Sequence, residues 1–369
     1  MNEEQQRTLQ KLGLSRIPDI GKVLQNVDLD TLLEQFAVLS TGYQPDPVRE
    51  LQETTYYDYP ALKAPIWKWE IIWYFFFGGL AAGCYVIASV AALFGSKEDR
   101  AVVRAGYYIS LLALIFCPPL LIKDLGRPER FLNMLRVFKA KSPMSMGVWG
   151  LVIFSLFSAL SGVIQAAKDG FLGRWWGARL LAALPQRLLA IPGSGFAVFL
   201  GSYTGVLLAT TSVPLWSRSK LLGGIFISSA MSTSTALISF VLRLVGTPKH
   251  VLHKLEQLEW SAMLLEIIGL LAFLRGSGRA ARALVGTQPQ EHGQNFWRFM
   301  FGGGLILPWL LQTIVLLSSK KQTSKPAGKG GAIISLLVLM GGYFLRRTLI
   351  DAGHSSSQNA REALWNARR

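Results

Sequence analysis

Cysteine, histidine and acidic residues are all scarce in this sequence of 369 residues. Cys84 and Cys117 both fall inside long apolar stretches, so neither a disulfide framework nor a cysteine-bound iron–sulfur cluster is predicted. The histidines are predicted to lie in loops or tails, which argues against a haem held by two histidines within a membrane bundle. These residues are His250, His253, His292 and His354. We therefore expect this chain to bind no haem, iron–sulfur cluster or other metal.

Acidic residues are outnumbered by basic ones, with 22 Asp and Glu against 38 Lys and Arg and a net charge of +16. A basic excess can indicate nucleic-acid binding, but here the Lys and Arg residues flank the apolar stretches. Membrane proteins usually carry their basic residues in such positions. The predicted partner of these charges is a lipid bilayer, and we expect no nucleic acid.

Long apolar stretches are the main feature that is present, and 51% of the residues are hydrophobic. About eight stretches are long enough to cross a hydrocarbon core, which takes about 20 helical residues. They run approximately over residues 69–94, 106–122, 146–167, 188–210, 221–244, 260–274, 296–317 and 332–349. The sequence therefore predicts an all-α polytopic membrane protein with about eight transmembrane helices in two bundles.

Polar segments flank the predicted membrane domain, which covers residues 66–350. Residues 1–65 form an amino-terminal extension with two stretches at helical spacing, interpreted as lying on the membrane surface or on a partner. A partly disordered tail is the alternative interpretation. Residues 351–369 form a polar carboxy-terminal tail. The extension lacks the apolar core of a cleavable signal, so we expect the first hydrophobic helix to act as the insertion signal.

One short polar stretch, residues 123–131, lies between two apolar ones and begins with Lys123 and Asp124. It follows a Pro118-Pro119 pair, which removes backbone donors and is predicted to break the second helix. An acid at a helix end beside Arg127 and Arg130 can be held in a defined protonation state and exchange protons. We therefore predict a functional acid here, with the two arginines holding the loop and its carboxylate.

Other candidate site residues lie in the predicted helices. Glu70 and Trp73 open the first helix, where Glu70 is either an interfacial acid or a ligand-binding group. Tyr203 and Thr204 could hydrogen-bond a carbonyl ligand, or could bond their own helix and its neighbours. Trp149 falls on the first turns of the third helix, and Glu266 is a candidate for proton conduction within the hydrocarbon. With eight helices, the groups at positions 70, 124, 127 and 203 all approach the same membrane face.

Several of these segments resemble the NrfD/PsrC family of eight-helix membrane subunits of polysulfide reductase-like iron–sulfur oxidoreductases. The similarity extends over about residues 66–350. It is carried by four motifs: Trp73-Tyr-Phe-Phe-Phe-Gly-Gly-Leu-Ala-Ala-Gly83, Asp124-Leu-Gly-Arg-Pro-Glu-Arg-Phe131, Ser142-Pro-Met-Ser-Met-Gly147 and Tyr203-Thr-Gly-Val-Leu-Leu208.

The resemblance implies a quinone or quinol site within the first bundle, with menaquinone or ubiquinone as the ligand. It implies a ferredoxin-like iron–sulfur subunit docked nearby, together with a molybdopterin or multihaem subunit. It also implies the inner (cytoplasmic) membrane, with the docking face on the periplasmic side. By position, Asp124 and Arg127 belong to the family motif, Tyr203 to the fourth-helix motif, and Glu70 and Trp73 to the region that borders the quinone.

The residues and the resemblance lead to one hypothesis, a quinone-reactive membrane anchor subunit of an oxidoreductase that itself carries no catalytic metal. Asp124 would exchange protons, Tyr203 would donate a hydrogen bond to a quinone oxygen, and a partner would take the electrons. Two alternatives stay open. A secondary transporter would use the broken helix and Glu266 as ligand or proton sites. A purely structural anchor would not need Asp124.

Overall fold

The computed structural model describes residues 62–63, 65–173, 175–286, 292–319 and 329–358. All regular secondary structure in these ranges is helical, and eight helices are long and apolar enough to cross a membrane. They are α1 (Trp69–Phe94), α2 (Lys97–Asp124), α3 (Pro143–Lys168), α4 (Gln186–Ala209), α5 (Leu222–Val245), α6 (Lys249–Val285), α7 (Asn295–Ser318) and α8 (Gly330–Gln358). The prediction of an eight-helix, all-α membrane protein is confirmed.

Helix α1 lies at the centre and packs against α2, α4 and α5. Its small residues allow close packing against these neighbours. A Cβ atom at Gly83 would collide with the backbone of Ala230 on α5, and one at Gly106 of α2 would collide with the backbone of Cys84. At these glycines the backbone of α1 therefore lies directly against the backbones of α5 and α2, with no side chain between them.

Large apolar side chains cover the outside of the bundle, as expected for a surface that faces lipid tails rather than water. Exposed residues of this kind occur on every spanning helix, and examples are Phe94, Leu112, Leu156, Ile191, Leu244, Leu265, Ile314 and Leu336. Together with the length and composition of the helices, this apolar exterior is what a bilayer requires.

Helix α2 is broken where the sequence predicted it. The α-helix Arg100–Ile115 ends, Phe116 intervenes, and a second segment runs over Cys117–Asp124 with the two prolines near its start. Proline lacks an N–H group, so its position in the first turn leaves no donor without a partner. The break directs the second segment, with Asp124 at its end, along the start of α1.

Helix α6 is longer than the sequence indicated. Its α-helical part covers Lys249–Ser277 rather than 260–274, and it buries Glu256 and Glu259 as well as Glu266. The error came from hydropathy, since charged residues that pair inside the bundle lower the apparent apolarity of a helix end. The prediction that all histidines lie in loops or tails was wrong as well, because α6 begins before its predicted span and α8 ends after its own. His250 and His253 lie on α6, and His354 lies on α8.

The predicted boundaries of the membrane domain agree with the structure only in part. Helix α8 continues to Gln358, past the predicted boundary at residue 350. The proposed extension, except residues 62–63 and 65, and the tail beyond Gln358 lie outside the described residues.

The ends of the helices define two faces of the bundle. The face that holds Asp124, the start of α1 and the end of α8 is called the cavity face, and the other is the opposite face. At the opposite face, Asp169 accepts hydrogen bonds from Arg104, Tyr108 and Gln165. Burial alone would raise the pKa of Asp169, but these bonds outweigh it and hold that pKa below its usual value.

Candidate functional site

A cavity opens between α1, the second segment of α2, the start of α3 and the end of α4. The space available to the centre of a water molecule is about 70 Å³, several times the roughly 10–15 Å³ that one water needs. Most of its walls are apolar or aromatic. They are formed by Trp67, Ile71, Tyr74, Phe75, Leu121, Asp124, Leu125, Phe131, Met134, Met144, Gly147, Val148, Tyr203 and Leu207. The cavity therefore combines a hydrophobic interior with very few polar groups, as small-molecule sites generally do.

Among the residues that the structure describes, Asp124 is the one carboxylate in the cavity wall. It is the last residue of α2, and Gly126 then turns the chain with a φ of 66°. The side chain is half-buried, and no hydrogen bond or ion pair joins it to another residue of the part of the chain that the structure describes. The charged groups that act on it electrostatically are Glu70 and Lys68. Its carboxylate is thus free to bond a ligand in the cavity.

Tyr203 faces Asp124's cavity from α4 and is fixed by the protein itself. Its hydroxyl donates a hydrogen bond to the carbonyl of Pro143, at the start of α3. Its ring stacks on Phe199 with centroids 5.5 Å apart and lies directly against Gly147, where a Cβ atom would collide with it. The predicted convergence of Tyr203 and Asp124 is therefore present, but the tyrosine proton is already engaged in holding α3.

Tyr74 is a cavity residue that the sequence reasoning did not single out. It is only 3% exposed, and its hydroxyl forms no hydrogen bond within the described ranges. Buried tyrosine hydroxyls usually have a partner, so an unengaged one in a cavity wall is available to a ligand. Tyr74 is three residues after Ile71, and residues three apart lie on the same face of a helix. This spacing was the signal in the sequence that the two side chains face the same side of α1.

Glu70 and Trp73 lie beside the cavity without lining it. Glu70 is 8% exposed, with one carboxylate oxygen 3.7 Å from Lys123 Nζ and the other without a partner in the described structure. Trp73 packs against Phe77 and against Tyr343 of α8. Successive residues of an α-helix are rotated by about 100°, so α1 turns Trp73 away when Tyr74 and Phe75 face the cavity.

The remaining predicted site residues are not brought to Asp124. Arg127 and Arg130 are exposed, and neither forms an ion pair with Asp124 among the residues described. The expectation that they hold its carboxylate was wrong, because the turn at Gly126 separates them from it. Thr204 bonds the carbonyl of Gly201 in its own helix, and Trp149 packs edge-on against Phe138.

Glu266 belongs to a second, separate polar cluster. It is 4% exposed and accepts a hydrogen bond of 2.9 Å from Ser232 of α5. Arg346 of α8, which is 1% exposed, is the opposite charge that acts on it. Arg346 donates to Ser229, to the carbonyl of Gly342 and, at 3.0 Å, to the carbonyl of Phe75. This cluster is enclosed by helices and does not line the cavity.

No group of three or more His, Cys, Asp or Glu side chains able to hold a metal ion occurs within the searched, described residues. Cys84 and Cys117 are buried free thiols on α1 and α2. The polar side chains that line the cavity, counted over the described part of the chain, are one carboxylate, two phenols and the indole of Trp67. Such a set can exchange a proton and hydrogen-bond a carbonyl or hydroxyl ligand.

Comparison with known proteins gives one consistent result. The family described as "Polysulphide reductase, NrfD" matches residues 59–356. The "Protein NrfD" of Escherichia coli is 26% identical over 301 residues, 74% of this chain and 92% of that protein. The "Protein NrfD homolog" of Haemophilus influenzae is 24% identical over 308 residues, 78% of this chain and 94% of that protein.

A third relative is named for an enzyme complex. It is a selenate reductase subunit of Mesobacillus selenatarsenatis, 23% identical over 289 residues, 67% of this chain and 66% of that protein. The resemblance drawn from the motifs is thus confirmed by a family match that covers most of the sequence. This multi-pass membrane chain belongs to the NrfD family of polysulphide reductase-type proteins.

Proposed function

We propose that this chain is the quinone-reactive membrane subunit of an oxidoreductase complex, and that the cavity beside Asp124 receives the quinone headgroup. The observation that carries the proposal is the composition of the cavity. A largely apolar and aromatic pocket contains one carboxylate and one phenol that have no hydrogen-bond partner within the described ranges. A quinone headgroup is a flat, apolar ring with two carbonyl oxygens. Its ring fits between apolar and aromatic walls, and its two oxygens need a small number of hydrogen-bonding groups.

Asp124 is proposed to exchange the proton. Oxidation of a quinol releases two electrons and two protons, and reduction of a quinone takes up the same number. A carboxylate in the wall can accept a proton from a quinol hydroxyl or return one to a quinone oxygen. Its half-buried position at the end of α2 leaves it in contact with both the cavity and the surrounding water. Glu70, whose charge acts on Asp124, would influence how readily the acid ionises.

Tyr74 is proposed to hold the headgroup in place by donating a hydrogen bond to one of its oxygens. Tyr203 was expected to do this, but its hydroxyl is already bonded to Pro143 and it contributes its ring to the wall instead. Trp67, Phe75 and Phe131 supply further aromatic surface. Aromatic rings in such walls favour a flat ligand over water, since water gains little from an apolar surface.

The electrons are proposed to pass to a partner subunit. Quinone supplies two-electron chemistry when bound, whereas this chain's own side chains supply binding and proton exchange. The relative from Mesobacillus selenatarsenatis is named as part of a selenate reductase, and one from Halobacterium salinarum as a putative membrane subunit of dimethyl sulfoxide reductase. We propose an analogous anchor role here, with a ferredoxin-like iron–sulfur subunit docked at the cavity face of an inner-membrane complex.

The experiment compares Asp124→Asn with Glu129→Gln in the whole complex isolated from its own membrane. Glu129 is an exposed acid in the same loop and does not line the cavity. The complex is reduced with dithionite, desalted and mixed rapidly with a short-tailed quinone, and re-oxidation of the partner's iron–sulfur absorbance is followed. We expect Asp124→Asn to slow this step by about 100-fold or more, because it removes the general acid–base group. Glu129→Gln should behave like the wild type.

A binding measurement separates chemistry from assembly. Quenching of tryptophan fluorescence by the same quinone reports occupancy, since Trp67 is part of the wall. We expect the Asp124→Asn complex to assemble and to bind the quinone, although it reacts slowly. Re-oxidation at the wild-type rate in Asp124→Asn would overturn the assigned role and favour a purely structural anchor.

A further inference from the structure

One aromatic residue of the cavity wall, Trp67, precedes α1 and belongs to no helix. It lies in a stretch of irregular backbone, residues 65–68. Among the described residues no backbone N–H group bonds the Trp67 carbonyl, so the hydrogen bonds of α1 do not fix it. Irregular segments are generally more mobile than the helices that they join. The position of this ring is therefore set by contacts with other parts of the chain.

The backbone of Trp67 is held from α8. His354 Nε2 lies 2.7 Å from the carbonyl oxygen of Trp67, although the two residues are 287 positions apart in the sequence. A carbonyl oxygen can only accept a hydrogen bond, so Nε2 carries the hydrogen and donates it. The neutral ring with its hydrogen on Nε2 and the protonated ring can both form this bond. The bond joins the end of α8 to the chain just before α1.

The ring of Trp67 is supported from the same helix through a second tryptophan. It stacks on Trp216 with centroids 5.4 Å apart and planes 21° apart. Trp216 is fully buried and belongs to the short helix Pro214–Ser217 between α4 and α5. Its indole N–H donates to the carbonyl of Leu349 on α8 at 2.8 Å, and its ring lies against Gly353, where a Cβ atom would collide with it. This wall of the cavity therefore has three layers, which are the α8 backbone, Trp216 and Trp67.

The support of Trp67 comes from a short part of α8. The α8 residues that contact the two tryptophans lie within residues 349–354, about 8 Å of helix. The next residue, Ser355, lies 3.0 Å from His292 of the connection between α6 and α7. Within the described part of the chain, no residue of α5–α8 lines the cavity. The second half of the bundle thus supports the wall of a cavity that it does not touch.

We propose that His354 is a positioning residue for the quinone site, and that through it the end of α8 sets the affinity of a cavity formed by α1–α4. His354 holds the Trp67 backbone so that the ring stays against Trp216 as part of the wall. Aromatic rings contact a flat ligand well only over a narrow range of separation and offset. A wall that is already in place also needs no ordering when the ligand binds. This inference rests on the proposed function, which supplies the ligand.

The test measures how the re-oxidation rate of the dithionite-reduced whole complex depends on the concentration of a short-tailed quinone. We expect His354→Leu to raise the half-saturating concentration about tenfold, because Trp67 loses its anchor and must be ordered when the quinone binds. The maximal rate should stay within about twofold of the wild type, since Asp124 and Tyr74 are unchanged. A change confined to the half-saturating concentration indicates a loss of binding and not of chemistry.

A conservative variant and a matched control isolate the hydrogen bond. The side-chain amide in His354→Gln can donate to the same carbonyl, so its half-saturating concentration should stay within about threefold of the wild type. His250→Leu makes the leucine substitution at a histidine of the opposite face, where His250 lies beside Glu98. It should leave the half-saturating concentration unchanged. A tenfold rise in His250→Leu as well would contradict a specific role of His354.

A double-mutant cycle separates positioning of Trp67 from a general loosening of the protein. Trp67→Leu removes the ring and should raise the half-saturating concentration by about tenfold or more. Once the ring is absent, its position no longer matters. Adding His354→Leu to Trp67→Leu should therefore change the half-saturating concentration by less than about twofold. Two independent losses would instead multiply to about 100-fold, and that result would contradict the positioning role.

Gly353→Ala tests the layer behind Trp67 and serves where His354→Leu does not assemble. Its Cβ atom would displace the ring of Trp216, so the half-saturating concentration should rise here too. Gly330→Ala on the same helix adds a methyl group where no atom lies within 4 Å, and it should have no effect. Wild-type values in both His354→Leu and Gly353→Ala would overturn the positioning role alone. A wild-type complex that quinone cannot re-oxidise would overturn the proposed function as well.

Discussion

Asp124 and Glu266 are both acids of one membrane bundle, but their surroundings differ in kind. Asp124 is half-buried at the end of a broken helix, lines an apolar cavity and has no direct partner among the described residues. Glu266 is almost fully buried, bonds Ser232 and lies beside the buried Arg346. A carboxylate without a protein partner can respond to a ligand. A buried carboxylate that accepts a hydrogen bond from a serine and has an arginine as its nearby opposite charge contributes first of all to holding the helices together.

This contrast indicates where a membrane protein can place a reactive acid. Inside the bundle an unpaired charge is too costly, so Arg346 is surrounded by acceptors from α1, α5 and α8. At the helix end the cost falls because water is near. The structure therefore separates an exchange site at the edge from a paired cluster at the centre. Three sets of variants test this separation.

The greatest loss of stability is expected from Arg346→Met. It removes the guanidinium that bonds Phe75, Ser229 and Gly342, and it leaves Glu266 without its opposite charge. Breaking a buried charge pair costs about 3–5 kcal/mol, so the unfolding midpoint in detergent should fall sharply. Arg127→Met removes an exposed arginine of the cavity face and is the control, with little expected change. Equal midpoints for the two variants would contradict the structural role given to Arg346.

A more moderate effect is expected from Gly147→Ala. The added Cβ would collide with the ring of Tyr203, so either the ring or α3 must shift at a cost of about 1–3 kcal/mol. Because both residues line the cavity, quinone affinity measured by tryptophan quenching should fall as well. Gly195→Ala on α4 adds the same methyl where no atom lies within 4 Å. It should leave the affinity unchanged, and a loss equal to that of Gly147→Ala would argue against a steric cause.

The smallest changes in stability are expected when the two cavity tyrosines are replaced by phenylalanine, and the two variants should differ from each other. Tyr203→Phe loses the hydrogen bond to Pro143 and should lower stability by about 0.5–1.5 kcal/mol. Tyr74→Phe loses a hydroxyl that bonds no described residue, so stability should change by less than about 0.5 kcal/mol. If Tyr74 binds the headgroup, its variant should instead weaken quinone affinity. If the roles were reversed, Tyr74→Phe would lower the stability and Tyr203→Phe would weaken the quinone affinity.

The sequence was sufficient for features that depend on hydropathy and chain order. It predicted the eight helices, the break near Pro118 and the approach of Asp124 and Tyr203 to one face. Each of these follows from where apolar stretches begin and end. It failed at the start of α6, where Glu256 and Glu259 are buried inside the bundle although hydropathy scores both as polar, and where Arg243 bonds Glu256.

Side-chain partners could not be predicted because they depend on how each helix is rotated against its neighbours. The hydrogen bond from Arg346 to the carbonyl of Phe75 joins residues far apart in the sequence, and no local sequence pattern near either residue predicts it. The same holds for the bond from Tyr203 to Pro143, which changes the role open to the tyrosine. Arg127, by contrast, lies only three residues from Asp124, yet the turn at Gly126 keeps them apart.

The rim of the cavity is built partly from Phe131 and Met134, which belong to the connection between α2 and α3 rather than to a spanning helix. A protein that binds this connection and alters its packing must also alter the cavity's affinity for its ligand. By thermodynamic reciprocity, a bound ligand changes the affinity for that protein by the same factor. Assembly and ligand occupancy would then regulate one another through two side chains, without any motion of the membrane helices.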